Sequence, residues 1–384
     1  MYALVNCDIY TGKQIEYNKA IIIDGDVIQS IVEVNNLPAI EHIDLKGLSV
    51  SPGFIDVQVN GGGGVLFNDH PDIEGIKTIV NGHRRYGTTD LLPTFITGSI
   101  QGMQKAAQAV QDYMRAKLPG VLGIHFEGPF ISPNKAGVHD KKYIRLVSKD
   151  DLSVITSVRD GVTLLTLAPE IVPLDVISDL SNKGIKVSVG HSEAKHSQTY
   201  DALNNGASCV THLFNAMSLV SSGREIGVLG AALNHENSWA GIIVDGIHVD
   251  FEGVKLAVNA KTAKGKGKLF LVTDAMPPVG QMPPAGFKLG PYDIRVEGGR
   301  LITGDGVLAG SSLDMASAIR NCIQKVGIPT DEALRMASTY KADFLGLSSR
   351  YGYIAPGYKA NLTVFNNQIH VHSTVVSGKF EMVD

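Results

Sequence analysis

A chain of 384 residues, 44% of them hydrophobic, can bury a large core, and its length admits two or three domains or one barrel with an appendage. A formal net charge of −4 with 19% charged residues supplies neither a basic face for nucleic acid nor an acidic tail. Cys7, Cys209 and Cys322 are few and far apart, the N-terminus lacks a leader pattern, and no apolar stretch is long enough for a bilayer. These features predict a cytoplasmic protein that acts on small molecules, without disulfides or membrane contact.

In chain order, the predicted elements begin with an antiparallel β module: strands at Ala3–Ile9, Lys19–Asp24 and Val27–Val34, with Asp24-Gly-Asp26 as a hairpin turn. The same texture returns at the C-terminus, with strands at Ala360–Phe365 and His372–Ser377 and a turn at Gly378-Lys379. Neither end can build a core alone, so the two are expected to pair. From Pro52 apolar strands alternate with amphipathic helices. The predicted strands are Gly53–Val59, Asp90–Thr94, Val121–Phe126, Val162–Leu167, Ile185–Val189, Ser208–His212, Trp239–Val244 and Leu269–Thr273. Helical patterns lie at Ile73–Tyr86, Ile100–Lys117, Asp151–Val158, Leu174–Asn182, Thr199–Asn204 and Phe251–Ala260, with a helical tail at Met315–Val326 and Asp331–Leu345. Eight such units suggest a (β/α)8 barrel rather than an open doubly wound sheet, and no dinucleotide fingerprint follows the first strand. The expected division is a barrel over 52–352 and a small β-sandwich domain from 1–51 and 353–384. Gly61 to Gly64 lacks the Lys-Ser/Thr of a phosphate loop and reads as a tight turn with close backbone approach.

The stretch Leu122-Gly-Ile-His-Phe-Glu-Gly-Pro-Phe130 is a short apolar run that delivers Glu127 to a strand end. Strand periodicity turns His125 and Glu127 to one face, and on this stretch alone a structural pairing and a functional one are equally compatible. In a barrel, catalytic groups come from the carboxyl ends of several strands. Those ends here carry Gln58 and Asn60, Glu127, His191, His212, Asp245 with His248, and Asp274. A lone strand-end histidine is more often a satisfied core group than a ligand, but agreement across six strands is hard to reach by chance. Glu127, His191 and His212 form a carboxylate and imidazole set suited to Zn²⁺ or Fe²⁺ with an open water position.

Seven motifs carry a resemblance in unbroken order: Pro52-Gly-Phe-Ile-Asp-Val-Gln58, His125-Phe-Glu-Gly-Pro-Phe130, Gly190-His-Ser-Glu-Ala194, Thr211-His-Leu-Phe-Asn-Ala-Met217, Asp245-Gly-Ile-His-Val-Asp250, Leu271-Val-Thr-Asp-Ala275 and Leu308-Ala-Gly-Ser-Ser312. The chain resembles the N-acetylglucosamine-6-phosphate deacetylases of the amidohydrolase superfamily over nearly its whole length. The resemblance implies hydrolysis of N-acetyl-D-glucosamine 6-phosphate to D-glucosamine 6-phosphate and acetate in amino-sugar catabolism. It makes Glu127, His191 and His212 the ligands of a divalent metal, Zn²⁺ with Fe²⁺ or Co²⁺ as alternatives. Asp274 becomes the proton carrier and His248 the donor to the oxyanion. It places Val138, His139, Asn215, Ala216, His248, Leu308, Ala309 and Gly310 at the substrate, with Arg224 reaching across a homodimer interface. Most amidohydrolases carry His-x-His at the end of the first strand, whereas this chain reads Gln58-Val59-Asn60. Neutral amides are poor ligands beside imidazole and carboxylate, so one ion per chain is expected, with Gln58 hydrogen-bonding its water. The alternatives are deacetylation of another N-acylated hexosamine phosphate, such as the galacto epimer, or a non-catalytic scaffold.

Overall fold

The computed structural model describes residues 1–261, 265–281 and 286–383. Eight parallel strands follow one another in chain order around a barrel: Phe54–Val59, Thr88–Ile96, Gly123–Glu127, Val162–Leu167, Lys186–Val189, Ala207–Val210, Trp239–Ile242 and Leu269–Leu271. Every residue of the first three is buried, as befits strands covered on both faces, and their apolar runs are interrupted by buried polar residues such as Asp56, Asp90 and His125. The first and eighth strands are joined by an isolated bridge between Val59, which closes the first, and Ala275, which lies past the end of the eighth. Gly61 and Gly62 pair with Val65 and Leu66 in a two-stranded turn at the rim, and a Cβ on Gly61 would lie 2.4 Å from the Val65 carbonyl.

The surrounding helices start where side chains can occupy the first free backbone N–H groups. Asp72, Ser99, Asp250 and Asp314 each accept one, and Ser148 and Asp151 cap each other reciprocally. Such caps contribute about 1 kcal/mol each. Several features depart from the sequence expectation. Helix Gly227–Asn234 was not expected, because its small and apolar residues carry no polar face, and Gly227 to Leu233 are all buried. The tail helix from Met315 passes into a π turn at Cys322–Val326, and the last helical stretch breaks at Ser338 into Thr330–Ala337 and Thr339–Leu345. The Ser338 hydroxyl donates to the Leu334 carbonyl, a local bond that competes with regular helix. A small antiparallel sheet, Phe287–Leu289, Tyr292–Glu297 and Arg300–Ile302, follows the eighth strand. Its Leu289, Ile294 and Leu301 pack with Leu66, Ile96, Val138 and Met276.

Both termini contribute to one further eight-stranded sheet. Strand His42–Pro52, which the sequence hid behind charged residues and Gly47, runs parallel to Tyr2–Tyr10 and antiparallel to Leu362–Phe365. It therefore joins the two ends of the chain. A buried polar contact ties this sheet to the barrel: Asn361 Nδ2 donates to Asp90 Oδ2 at 2.8 Å, and Asn361 Oδ1 accepts from the Ser377 N–H at 2.7 Å. Burial raises the Asp90 carboxyl above its usual range, so its remaining donors matter. Asn361→Leu removes one of the two donors to buried Asp90 Oδ2, leaving Thr89 Oγ1 at 2.7 Å, and takes the acceptor from the half-buried Ser377 N–H, at about 1–3 kcal/mol in all. A denaturant titration should show a lower midpoint, and an unchanged midpoint would mean that this contact does not stabilise the docked sheet.

Candidate active site

The carboxyl ends of the barrel strands converge on a cavity of about 320 Å³, within the range of small-molecule sites. Glu127 closes the third strand and is 2% exposed. His191 follows the fifth strand through Gly190, where a Cβ would lie 2.7 Å from Thr166 Cγ2 and 2.9 Å from Thr211 Cβ. His212 follows the sixth. Glu127 Oε1 lies 3.1 Å from His191 Nε2 and 3.0 Å from His212 Nε2, and the two nitrogens are 3.0 Å apart. Tetrahedral ligands of a zinc-like ion at 2.0–2.1 Å sit about 3.3 Å from one another, close to this triangle.

Protonation supports a cation at its centre. His191 Nδ1 lies 2.7 Å from the Lys135 carbonyl, which can only accept, so Nδ1 carries the hydrogen. In the neutral ring the Nε2 lone pair then faces a carboxylate oxygen and another imidazole nitrogen. Burial alone would raise the Glu127 carboxyl, but the adjoining His191 and His212 rings outweigh it and hold it well below the usual range. Burial would likewise lower His212, yet its hydrogen bond to Glu127 raises it. Charge is concentrated here, and the donors fit a divalent metal. His139 stands close by. Its ring centroid is 4.3 Å from that of His191, and Glu127, His139 and His191 offer donor atoms all within 4.8 Å of one another. His212 Nε2 touches both other donors, whereas the hydrogen-bonding contact of His139 is through Nδ1, to Thr97 Oγ1 at 2.7 Å. Burial pushes His139 down to about 3, so its ring is neutral.

Asp274 lies three residues beyond the eighth strand, and its Oδ1 accepts from Gln58 Nε2 at 3.1 Å and Asn60 Nδ2 at 2.6 Å. Gln58 Nε2 also donates to Glu127 Oε1 at 3.0 Å, so one amide spans both carboxylates. Burial first, and then the Glu127 charge, raises the Asp274 carboxyl above its usual range. His248 Nδ1 lies 2.6 Å from Asp245 Oδ2, which fixes the ring and turns Nε2 away from that carboxylate. His191, His212, Ala216 and Asp274 all have positive φ, so the strand-end loops hold strained conformations at the cavity.

Of the residues singled out in the sequence, Glu127, Val138, His139, His191, His212, Asn215, Ala216, His248, Asp274, Leu308 and Gly310 line the cavity. Ala309 is buried between Leu308 and Gly310 and is not in the lining. Arg224 is not in the lining either; it is exposed on the loop after the sixth strand. His125, expected to share a wall with Glu127, has both ring nitrogens taken up by the hydroxyls of Thr94 and Thr166. Sequence reasoning missed Thr97, Asn134, Lys135 and Met276, and placed Asn60 in the strand-end set without giving it a role. The i, i+2 spacing of Gln58 and Asn60 at a strand end was the available signal for the last.

The amidohydrolase family model matches residues 49–380, and a NagA composite domain model matches residues 1–50. The chain is 38% identical to an N-acetylglucosamine-6-phosphate deacetylase of Haemophilus influenzae, with 99% of both chains covered. It is 39% identical to an N-acetylgalactosamine-6-phosphate deacetylase of Shewanella, covering 88% of this chain and 84% of the relative. The crystal structure of N-acetylglucosamine-6-phosphate deacetylase from Pasteurella multocida superposes with a TM-score of 0.95 at 40% identity, over 99% of each chain. The chain therefore belongs to the amidohydrolase family.

Proposed function

We propose that the protein is a metal-dependent deacetylase that hydrolyses N-acetyl-D-glucosamine 6-phosphate to D-glucosamine 6-phosphate and acetate, in amino-sugar metabolism. The observation that carries this reading is the buried triangle of Glu127, His191 and His212 beside an amide-held Asp274. It is supported by relatives of that name covering the full chain. Glu127, His191 and His212 would hold one divalent ion, Zn²⁺ in this reading, which supplies a Lewis acid for the acyl carbonyl and lowers the pKa of water. Asp274 accepts a proton from the attacking water as its oxygen bonds to the acyl carbon. His248, steadied by Asp245, presents Nε2 to the developing oxyanion. The carbon–nitrogen bond then breaks as Asp274 returns the proton to the sugar nitrogen, because an amine leaves poorly unless protonated. Acetate and the free amine account for every atom.

Asn215 and Ala216 are assigned to the phosphate side of the cavity, with Val138, His139 and the segment Leu308 to Gly310 around the sugar. Arg224 is assigned to the phosphate of a partner subunit in a homodimer, which suits its exposed position outside the lining of its own chain's cavity. In the same reading, residues 52–352 form the catalytic unit, residues 1–51 with 353–384 form the supporting one, and the protein works in the cytoplasm. A second substrate reading, the galacto epimer, is favoured by the 39% identical Shewanella relative. An acetate-release assay across both epimers, each with and without the 6-phosphate, tests the reading: release only from unphosphorylated sugars, or none, would overturn it.

Asp274→Asn should retain substrate affinity while kcat falls by at least about 10²-fold. Near-normal turnover would remove Asp274 as the proton carrier. After brief chelator treatment to strip loosely held ions, elemental analysis should find about one divalent ion per active chain, as expected for one three-residue site. Two tightly held ions would mean that Gln58, Asn60 or His139 is a ligand. Arg224→Ala should raise KM for the phosphorylated sugar well beyond its effect on the unphosphorylated analogue. Mixed with Asp274→Asn protein, it should regain activity through heterodimers, and no recovery after verified subunit exchange would place the phosphate contact within one chain.

A further inference from the structure

Asn60 stands immediately beyond the first barrel strand and is fully buried. Its backbone N–H and that of Gly61 both donate to the Ala275 carbonyl at 2.9 Å, and the Asp274 N–H donates back to the Gln58 carbonyl at 3.1 Å. The main chains on either side of Asp274 and Asn60 are thus locked together. Between them, Asn60 Nδ2 donates to Asp274 Oδ1 at 2.6 Å, a shorter contact than the 3.1 Å one from Gln58. The amide orientation follows from chemistry: turned over, its carbonyl oxygen would face a carboxylate oxygen with no hydrogen between them. In the orientation that works, Asn60 Oδ1 has no partner among the described residues, so the side chain is held at this one end.

Two N–H donors on a single oxygen stop the carboxylate from rotating about its Cβ–Cγ bond. Among the described residues no hydrogen bond reaches the other oxygen. The carboxylate is therefore divided into a held oxygen and a free one. We propose that Asn60 is a positioning residue for Asp274: its amide pins Oδ1 so that Oδ2 alone faces the reacting atoms, taking the proton from water and delivering it to the sugar nitrogen. This rests on the proton-carrier role given to Asp274 above. One oxygen must serve both transfers without the group turning between them, and a pinned carboxylate meets that demand at no rotational cost during turnover. A hydrogen bond to a charged group is strong enough for its loss to lower the rate by about 10- to 100-fold.

The test is a double-mutant cycle on the full-length metal-loaded protein, with N-acetyl-D-glucosamine 6-phosphate as substrate and acetate release followed long enough to measure residual rates. Asn60→Ala should lower kcat by about 10- to 100-fold with KM within about threefold on the native background, and by less than about twofold on the Asp274→Asn background. Asn60→Asp keeps the shape of the side chain but replaces the donor by a second carboxylate, so it should also lose kcat while remaining folded by its thermal midpoint. Equal fractional losses on both backgrounds would overturn the proposal, since damage that does not act through Asp274 persists when Asp274 is gone. Full kcat in Asn60→Asp would overturn it as well. Near-normal activity of Asp274→Asn alone would instead sink the proton-carrier reading, which separates the two failures.

Discussion

A carboxylate buried as deeply as Glu127 must be compensated, and the architecture around the cavity follows from that requirement. An uncompensated charge in the interior costs several kcal/mol. Glu127 Oε1 meets His191, His212 and the Gln58 amide at 3.0–3.1 Å. These partners come from strands far apart in sequence, so the compensation exists only when the barrel has closed. A divalent ion among them would complete the same balance, which makes metal affinity and fold stability two readings of one interaction. Holding Glu127 on a strand, and His191 and His212 within two residues of strand ends, also keeps their spacing within the small tolerance that a metal site would require.

The strands bring these side chains close, and the loops turn them inward at a cost. His191, His212 and Asp274 have φ of 49°, 26° and 52°, conformations that cost about 1–3 kcal/mol each for a residue with a Cβ. They persist because neighbouring backbone groups hold them. Ser132 donates to the His191 carbonyl at 2.9 Å, Asn215 to that of His212 at 3.0 Å and Ser311 to that of Asp274 at 2.9 Å. Each of those donors belongs to a segment that also borders the cavity or packs just behind it. The strain and the substrate site are therefore built from the same short loops.

The barrel was legible because its strands are covered on both faces and so read as largely apolar runs, six of which lead into polar residues. For the same reason the strand-end set from Gln58 to Asp274 was visible without any structure. What stayed hidden is what periodicity cannot express. Helix Gly227–Asn234 has no polar face, and the small sheet over 287–302 has short strands broken by turns. The pairing of Thr97 with His139 joins loops 42 residues apart in sequence, and no spacing rule anticipates it. His125 shows the limit of alternation as a guide. Period two turned it to the same face as Glu127, but the hydroxyls of Thr94 and Thr166 on adjacent strands, not Glu127, decide its partners. Alternation gives a direction, whereas the neighbouring strands give the chemistry.

The chemistry also sits where the barrel is least well hydrogen-bonded. The first and eighth strands end the ladder on either side, and the seam between them is closed by the isolated Val59–Ala275 bridge, a few backbone hydrogen bonds and a side-chain contact. Thr273 Oγ1 donates to Asp56 Oδ2 at 2.6 Å, the Asp274 N–H to the Gln58 carbonyl at 3.1 Å, and the Asn60 N–H to the Ala275 carbonyl at 2.9 Å. A continuous ladder would commit these backbone groups to regular pairing and would not readily admit the left-handed turn at Asp274. By leaving the seam open, the fold frees two amides and a carboxylate to meet at its upper end. Closure of the barrel and orientation of Asp274 are then the same set of hydrogen bonds, so a substitution that loosens the seam acts on Asp274 even where it does not touch the cavity.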